Sequence, residues 1–170
     1  MPDPHVWLDT DNAARIAVAL ADRLAMLDPA NATRYASNLH AFESALKQAA
    51  DDIRAILEPA TFPPFVVYHN GYQYFESQFG IAHLDSFTGN EEVQPGIRQV
   101  LAIRKIMQDN GVDCIVVSPS VNTGNLDNQL ERKSVRFVSI DVLALESAMN
   151  KDSYTGFITS VARKFMSCRQ

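Results

Sequence analysis

The feature that most constrains the fold is a change of hydrophobic period after Pro63-Pro64. From that point, short apolar runs of strand length alternate with longer amphipathic segments of helix length, in the order β-α-β-α-β-α-β-α. Such alternation is typical of a parallel sheet covered by helices. We therefore predict an α/β fold with a four-stranded, mainly parallel sheet flanked by helices.

The predicted strands are apolar runs rich in β-branched and aromatic residues. They lie at residues 65–68, 81–87, 114–117 and 137–140, with helices at about 72–79, 95–110, 125–133 and 154–165. Two further helices, at about 11–27 and 30–58, precede the sheet. The second would be about 42 Å long. That length favours a helix that spans the domain or bridges two, and a coiled coil is the alternative.

Composition excludes several classes of protein. The chain has 170 residues, of which 46% are hydrophobic and 21% charged, as in one globular domain. Its net charge of −5 and its lack of a basic block disfavour binding to nucleic acid or an anionic membrane. No apolar run is long enough to span a membrane. The polar start lacks the features of a signal peptide, so we expect a cytosolic chain or a mature piece without its leader.

Polar residues fall where predicted strands end, which is where ligands bind in open α/β sheets. His69 follows the first strand, Ser118 the third and Asp141 the fourth. His5 lies in a segment stiffened by proline and is either a fixed ligand or a tail residue. Together His5, His69 and Asp141 would supply two imidazoles and a carboxylate, which suit Zn²⁺ and similar divalent metals. For His69 alone, a strand-end histidine bonded to the backbone is the alternative.

Other chemistry is poorly supported by the sequence. His40 has the position of a surface or half-buried residue, and His83 that of a structural residue inside the second strand. Glu91-Glu92 is more typical of a solvated loop than of an acidic site. Nucleotide-binding glycine motifs and a nucleophile elbow are both missing. The sequence thus disfavours an enzyme, for want of a nucleophile and base set.

The two cysteines, Cys114 and Cys168, are compatible with free thiols or with one disulfide. Cys114 opens an apolar strand, where a thiol would be buried and inert. If the last helix packs on the sheet, it could bring Cys168 to Cys114. A disulfide would then close a loop of 168 − 114 = 54 residues, worth about 4 kcal/mol in the loop-entropy account. It would also imply an oxidising compartment.

Four segments carry a resemblance to a known family. They are Asp3-Pro4-His5-Val6-Trp7-Leu8, Tyr68-His69-Asn70-Gly71-Tyr72-Gln73-Tyr74-Phe75, Val93-Gln94-Pro95-Gly96, and Ser134-Val135-Arg136 leading into Ile140-Asp141. In this order they resemble the high-affinity zinc-uptake substrate-binding proteins of bacterial ABC transporters (ZnuA-like). The resemblance covers nearly the whole chain but only the later half of the family's length.

The resemblance implies an architecture and a role. Family members have two α/β lobes joined by one long helix, with metal in the cleft between the lobes. This chain would comprise an inter-lobe linker at 1–10, two helices at 11–58 and the C-terminal lobe at 59–170, with the N-terminal lobe missing. The implied role is non-catalytic capture of zinc, or of manganese, in the periplasm for delivery to an ABC-transporter permease in the membrane.

The resemblance also implies site residues. His5 matches the histidine of the Asp-Pro-His motif, His69 matches the histidine of the C-terminal lobe, and Asp141 falls where members have an aspartate near the site. The cysteine pair, Cys114 and Cys168, is similar to that of zinc-type members, in which it forms a disulfide.

Tyr68, Asn70 and Ser118 are predicted to line the cleft or support the ligands. Two departures from the family fall here. Asn70-Gly71 replaces the usual Asp-Ala, and Ser118-Pro119-Ser120 stands where zinc members often have Glu-Pro-Gln. The alternative hypothesis is therefore a truncated interaction module without a working metal site, which could form a homodimer through its long helix and exposed half-cleft.

Overall fold

The computed structural model describes residues 3–58, 61–89, 93–130, 135–145 and 150–169. Within these ranges the sheet has four strands, all parallel, in the order β2-β1-β3-β4. They are β1 Val66–His69, β2 Ser86–Thr88, β3 Cys114–Val117 and β4 Arg136–Ser139. Every residue of β1 and β3 is buried, as expected for the central strands of a covered parallel sheet. The predicted α/β fold is confirmed.

Six α-helices occur in the same described ranges. They are α1 Thr10–Leu27, α2 Ala32–Leu57, α3 Gln73–Phe79, α4 Ile97–Asp109, α5 Thr123–Leu130 and α6 Ser153–Met166. The long helix α2 buries side chains only from Leu46 onward, and there it packs against α6. The same helix also packs against α1. No helix in the described ranges is long and apolar enough to cross a membrane.

The two faces of the sheet carry separate apolar cores because successive strand side chains point in opposite directions. One core contains Val67 and Val116 together with Ile53 of α2 and Phe165 of α6. The other core contains the alternate strand residues together with α4 and α5. His69 is two residues after Val67 in β1, so its side chain points to the same face, which α2 and α6 cover.

The disulfide between Cys114 and Cys168 is present, with a distance of 5.5 Å between the two Cα atoms. It joins the first residue of β3 to a 3-10 turn, Ser167–Arg169, that follows α6. In that turn the Arg169 guanidinium donates to the backbone oxygens of Leu57 and Glu58 at the end of α2. The disulfide interpretation is therefore confirmed over the free-thiol one.

The second strand was predicted over 81–87, and that extent is wrong because β2 covers only Ser86–Thr88. The backbone N–H of His83 donates to the Glu76 carboxylate, and the backbone N–H of Leu84 donates to the Phe65 oxygen. Leu84 thus still bonds beside the start of β1, whereas His83 bonds to the Glu76 side chain of α3 instead of to a strand. His83 thus has the structural role expected for it, although outside a strand.

Two further sequence predictions extend beyond the described ranges. The helix predicted over 125–133 begins earlier, at Thr123, and its last predicted residues, 131–133, lie outside those ranges. Glu91-Glu92 also lies outside them.

Candidate metal site

The imidazoles of His5 and His69 lie against each other, although the two residues are far apart in sequence. Their ring centroids are 5.4 Å apart, and the ring planes are inclined by 55°. Two imidazoles that bind one Zn²⁺ tetrahedrally at about 2.0–2.1 Å have ring centroids about 5 Å apart. The spacing of this pair therefore fits a shared zinc ion.

His69 is held by the end of β1. It is the last residue of that strand, it pairs with Thr88 of β2, and only 3% of its surface is exposed. The next residue, Asn70, donates its backbone N–H to the Thr88 oxygen. The ring of Tyr72 lies 5.6 Å from the His69 ring, centroid to centroid. The strand end thus fixes the backbone, and the aromatic neighbour supports the imidazole.

Gly71 leaves the space that the two imidazoles occupy. A Cβ atom on Gly71 would lie 2.9 Å from both His5 Cε1 and His69 Cδ2, and closer still to His69 Nε2. Real Cβ atoms do not approach other atoms so closely. Both rings therefore converge above the backbone of this one glycine.

His5 is held by a short clamped segment. Val6–Leu8 forms a 3-10 turn, and Leu8 is fully buried in the core. Trp7 donates its indole N–H to the Val142 oxygen at 2.9 Å, and Tyr154 of α6 donates its hydroxyl to the Trp7 oxygen at 2.7 Å. Burial raises the pKa of the Tyr154 phenol, and the charge of Asp9 adds to that rise, so the group stays a donor.

The Asp3 carboxylate contacts both the ring and the backbone of His5. Its Oδ1 atom lies 2.6 Å from His5 Nδ1 and also accepts the backbone N–H of His5 at 3.0 Å. A carboxylate that bonds the distant nitrogen of an imidazole is the usual support of a metal-binding histidine.

Asp141, the third predicted ligand, bonds to backbone groups of the segment that follows β4. Its two carboxylate oxygens accept the backbone N–H groups of Leu143 and Leu145 at 3.0 and 2.6 Å. It follows β4, and the oxygen of the next residue, Val142, accepts from the indole of Trp7. No group of three or more His, Cys, Asp or Glu side chains arranged to hold a metal occurs among the described residues.

The three predicted cleft residues lie in different places. Continuing the register Val67↔Val116 by two residues places Ser118 beside His69, where it is buried. The Asn70 side-chain oxygen is buried and has no hydrogen-bond donor among the described residues. Tyr68 points to the opposite face from His69 and stacks on Phe87, with 6.2 Å between ring centroids.

Sequence reasoning missed two residues of the site, Asp3 and Gly71. Asp3 belongs to the Asp-Pro-His segment, and Gly71 stands where the family usually has alanine. Neither pattern by itself predicts a contact with the imidazoles. The signal available for Asp3 was its spacing, since a carboxylate two residues before a histidine can reach its ring. The closeness of Gly71 to both rings depends on tertiary placement, which has no local sequence signal.

The profile of the family described as "Zinc-uptake complex component A periplasmic" matches residues 2–168. The chain belongs to this zinc-uptake family. The high-affinity zinc uptake system protein ZnuA of Yersinia pestis is 32% identical over 164 residues, 96% of this chain and 52% of that protein. ZnuA of Brucella abortus is 29% identical over 166 residues, 98% of this chain and 50% of that protein. The chain thus spans about half the length of the curated relatives it matches.

Solved structures share the fold. A crystal structure of ZnuA superimposes with a TM-score of 0.83 at 23% identity, over 98% of this chain and 62% of that one. The laminin-binding protein Lmb of Streptococcus agalactiae, described as having adhesin and metal-transporting activity, superimposes with a TM-score of 0.82 at 21% identity. That match covers 100% of this chain and 65% of Lmb. At these identities the structures support the architecture of the zinc-uptake family and no finer property.

Proposed function

We propose that this chain binds Zn²⁺ through His5 and His69 and serves zinc uptake as the C-terminal half of a substrate-binding protein. The observation that carries the proposal is the 5.4 Å separation of the two imidazoles, which fits a shared zinc ion. Family membership supports zinc as the cargo. Neutral imidazoles favour Zn²⁺ over Mn²⁺, so zinc is the metal proposed and manganese the weaker competitor.

The wider role is part of the same proposal. Residues 1–10 would act as an inter-lobe linker, 11–58 as the helices that connect the lobes, and 59–170 as the C-terminal lobe. The partners would be an N-terminal lobe that completes the cleft and an ABC-transporter permease in the membrane, with the protein in the periplasm. Because two imidazoles leave a four-coordinate zinc incomplete, water or the other lobe would supply the remaining ligands.

A competition titration with Zn²⁺ and Mn²⁺ tests the site. We expect one zinc ion per chain, bound more tightly than manganese, and a loss of zinc affinity of more than about tenfold in His69→Ala, because a direct ligand is removed. His40→Ala is the matched control, since His40 is exposed on α2 far along the chain from the site. Equal zinc affinity in the wild type and His69→Ala would contradict the proposal.

Asp141 stays a predicted ligand, and the same titration tests it. Asp141→Asn keeps a side-chain oxygen that can accept from the backbone but removes the charge. A fall in zinc affinity matching that of His69→Ala would assign Asp141 to the site. Unchanged affinity would restrict the site to the two imidazoles.

A second candidate function is association between two copies of the chain. It is favoured by the large apolar side chains that α1 exposes, which include Leu20, Met26 and Leu27 at 56%, 71% and 67% of their surface. A homodimer that covered this helix would not require a working metal site.

A further inference from the structure

Among the described residues, Asp3 forms side-chain hydrogen bonds with His5 alone. One oxygen, Oδ1, lies 2.6 Å from the ring nitrogen Nδ1 and 3.0 Å from the backbone nitrogen of the same residue. Both side chains are mostly buried, with 10% of the Asp3 and 17% of the His5 side chain exposed. The other oxygen, Oδ2, is buried and has no hydrogen-bond donor among the described residues.

This contact determines where the proton sits on the His5 ring. A carboxylate can only accept hydrogen bonds, so a nitrogen 2.6 Å from it must carry the proton. A neutral imidazole has one ring proton, and with that proton on Nδ1 the other nitrogen, Nε2, keeps a bare lone pair. Metal ions bind imidazole through such a lone pair.

The free edge of the His5 ring faces the second imidazole. His5 Cε1, the carbon between the two ring nitrogens, lies 2.9 Å from the position of a Cβ on Gly71, and the Nε2 edge of His69 converges on the same position. Asp3 occupies Nδ1, so Nε2, the other nitrogen bonded to Cε1, is the ring nitrogen left to face a shared metal.

We infer that Asp3 is a positioning residue that fixes the His5 tautomer and leaves Nε2 as the metal-binding atom. The inference deepens the proposed function and rests on it for the metal. The tautomer itself is a property of the metal-free protein, so it can be tested separately. A purely structural role for Asp3 would operate through the backbone N–H of His5 and would leave the tautomer unchanged.

The first test reads the tautomer by ¹⁵N NMR of the histidine rings in metal-free protein, at a pH of about 8, above the ordinary imidazole pKa of about 6.5. We expect His5 to carry its proton on Nδ1 in the wild type and to populate the Nε2-protonated form in Asp3→Ala. His83 is an internal control, because its Nδ1 lies 2.7 and 2.8 Å from the two Glu76 oxygens. Its signals should keep the Nδ1-protonated pattern in every variant.

The second test measures zinc affinity of the same variants. We expect Asp3→Ala to lose about 10–100-fold, the usual effect of removing the partner of a metal-binding histidine. Asp3→Glu keeps the carboxylate and should recover at least part of the loss. If Asp3→Ala does not fold, Asp3→Leu, which is similar in size and has no hydrogen-bonding atoms in its side chain, takes its place in both tests.

The inference is overturned if His5 keeps its proton on Nδ1 without the Asp3 carboxylate. It is also overturned if the tautomer changes while zinc affinity stays at the wild-type value. Failure of the proposed function gives a different pattern, in which His69→Ala and the wild type bind zinc equally whatever the His5 tautomer is.

Discussion

At the scale of single residues, Gly71 has room for a hydrogen and nothing larger. Its conformation is not the left-handed one that favours glycine, since the positive-φ glycines among the described residues are Gly80 and Gly111. The requirement at position 71 comes instead from the imidazoles of His5 and His69 above it. A side chain here would compete with the candidate ligands for space.

We expect Gly71→Ala to displace the His69 ring, because the residue is buried and its ring has little other space. Zinc affinity should fall by more than about tenfold, and the free energy of unfolding by about 1–3 kcal/mol, the usual cost of overpacking. Titration and denaturant unfolding measure the two effects. Gly89→Ala is the matched control, because a Cβ there meets no atom within 4 Å. Wild-type affinity in Gly71→Ala would show that the rings adjust without cost.

The three candidate ligands come from different kinds of sequence evidence. His69 was found because a strand end on an α/β sheet is a recognisable position. His5 was found through the Asp-Pro-His segment, because local spacing alone left it between ligand and tail. Asp141 is predicted with them because it also follows a strand; its carboxylate accepts the backbone N–H groups of Leu143 and Leu145, and its part in metal binding stays a prediction.

At the scale of secondary-structure elements, the segment that carries His5 is fixed by side chains from outside it. Tyr154 of α6 donates to the Trp7 oxygen. At the start of α1, the Thr10 backbone N–H donates to the side chain of Gln78 of α3, which donates back to the Thr10 hydroxyl. Helices that follow β1 and β4 thus determine the position of a residue near the start of the sequence.

The Tyr154 contact predicts a specific pH dependence. Tyr154→Phe should lower the free energy of unfolding by about 1 kcal/mol at pH 7, because one buried hydrogen bond is lost. Burial raises the pKa of Tyr154 in the folded protein above its ordinary value of about 10. Above about pH 10 the unfolded phenol ionises while the folded one stays protonated, so the wild type loses this stabilisation as pH rises.

The stabilities of the wild type and Tyr154→Phe should therefore converge between about pH 10 and pH 11. Denaturant unfolding at a series of pH values measures the difference. Tyr74→Phe is a suitable control, because the Tyr74 hydroxyl makes no hydrogen bond among the described residues. A difference that stays constant with pH would mean that the Tyr154 phenol ionises equally in both states.

Helices with a long periodic pattern of apolar residues, and strands that are fully buried, could be predicted well from the sequence. The extents of α1 and β3 agree with prediction to within one residue at each end. The extent of β2 could not be predicted, because residues 81–85 have strand-like composition, yet the backbone and ring of His83 bond to the Glu76 carboxylate of α3. Hydrophobic period contains no information about such partners.

At the scale of the whole molecule, α1 presents apolar side chains that the described residues do not cover. If two copies associate through this helix, we expect the apparent mass in light scattering to rise with concentration towards that of a dimer. Leu20→Glu should abolish the rise by burying a charge in the interface, whereas Glu43→Gln on the exposed side of α2 should leave it unchanged. A monomer at high concentration would contradict the second candidate function.

Formation of the disulfide has a consequence for how the chain is made. Cys114 opens the central strand β3, and its partner is synthesised 54 residues later. The Cys114 thiol of β3 therefore stays unpaired until the chain has been synthesised as far as Cys168, which follows α6. Among these 170 residues Cys114 and Cys168 are the two cysteines, so this part of the protein offers a single pairing.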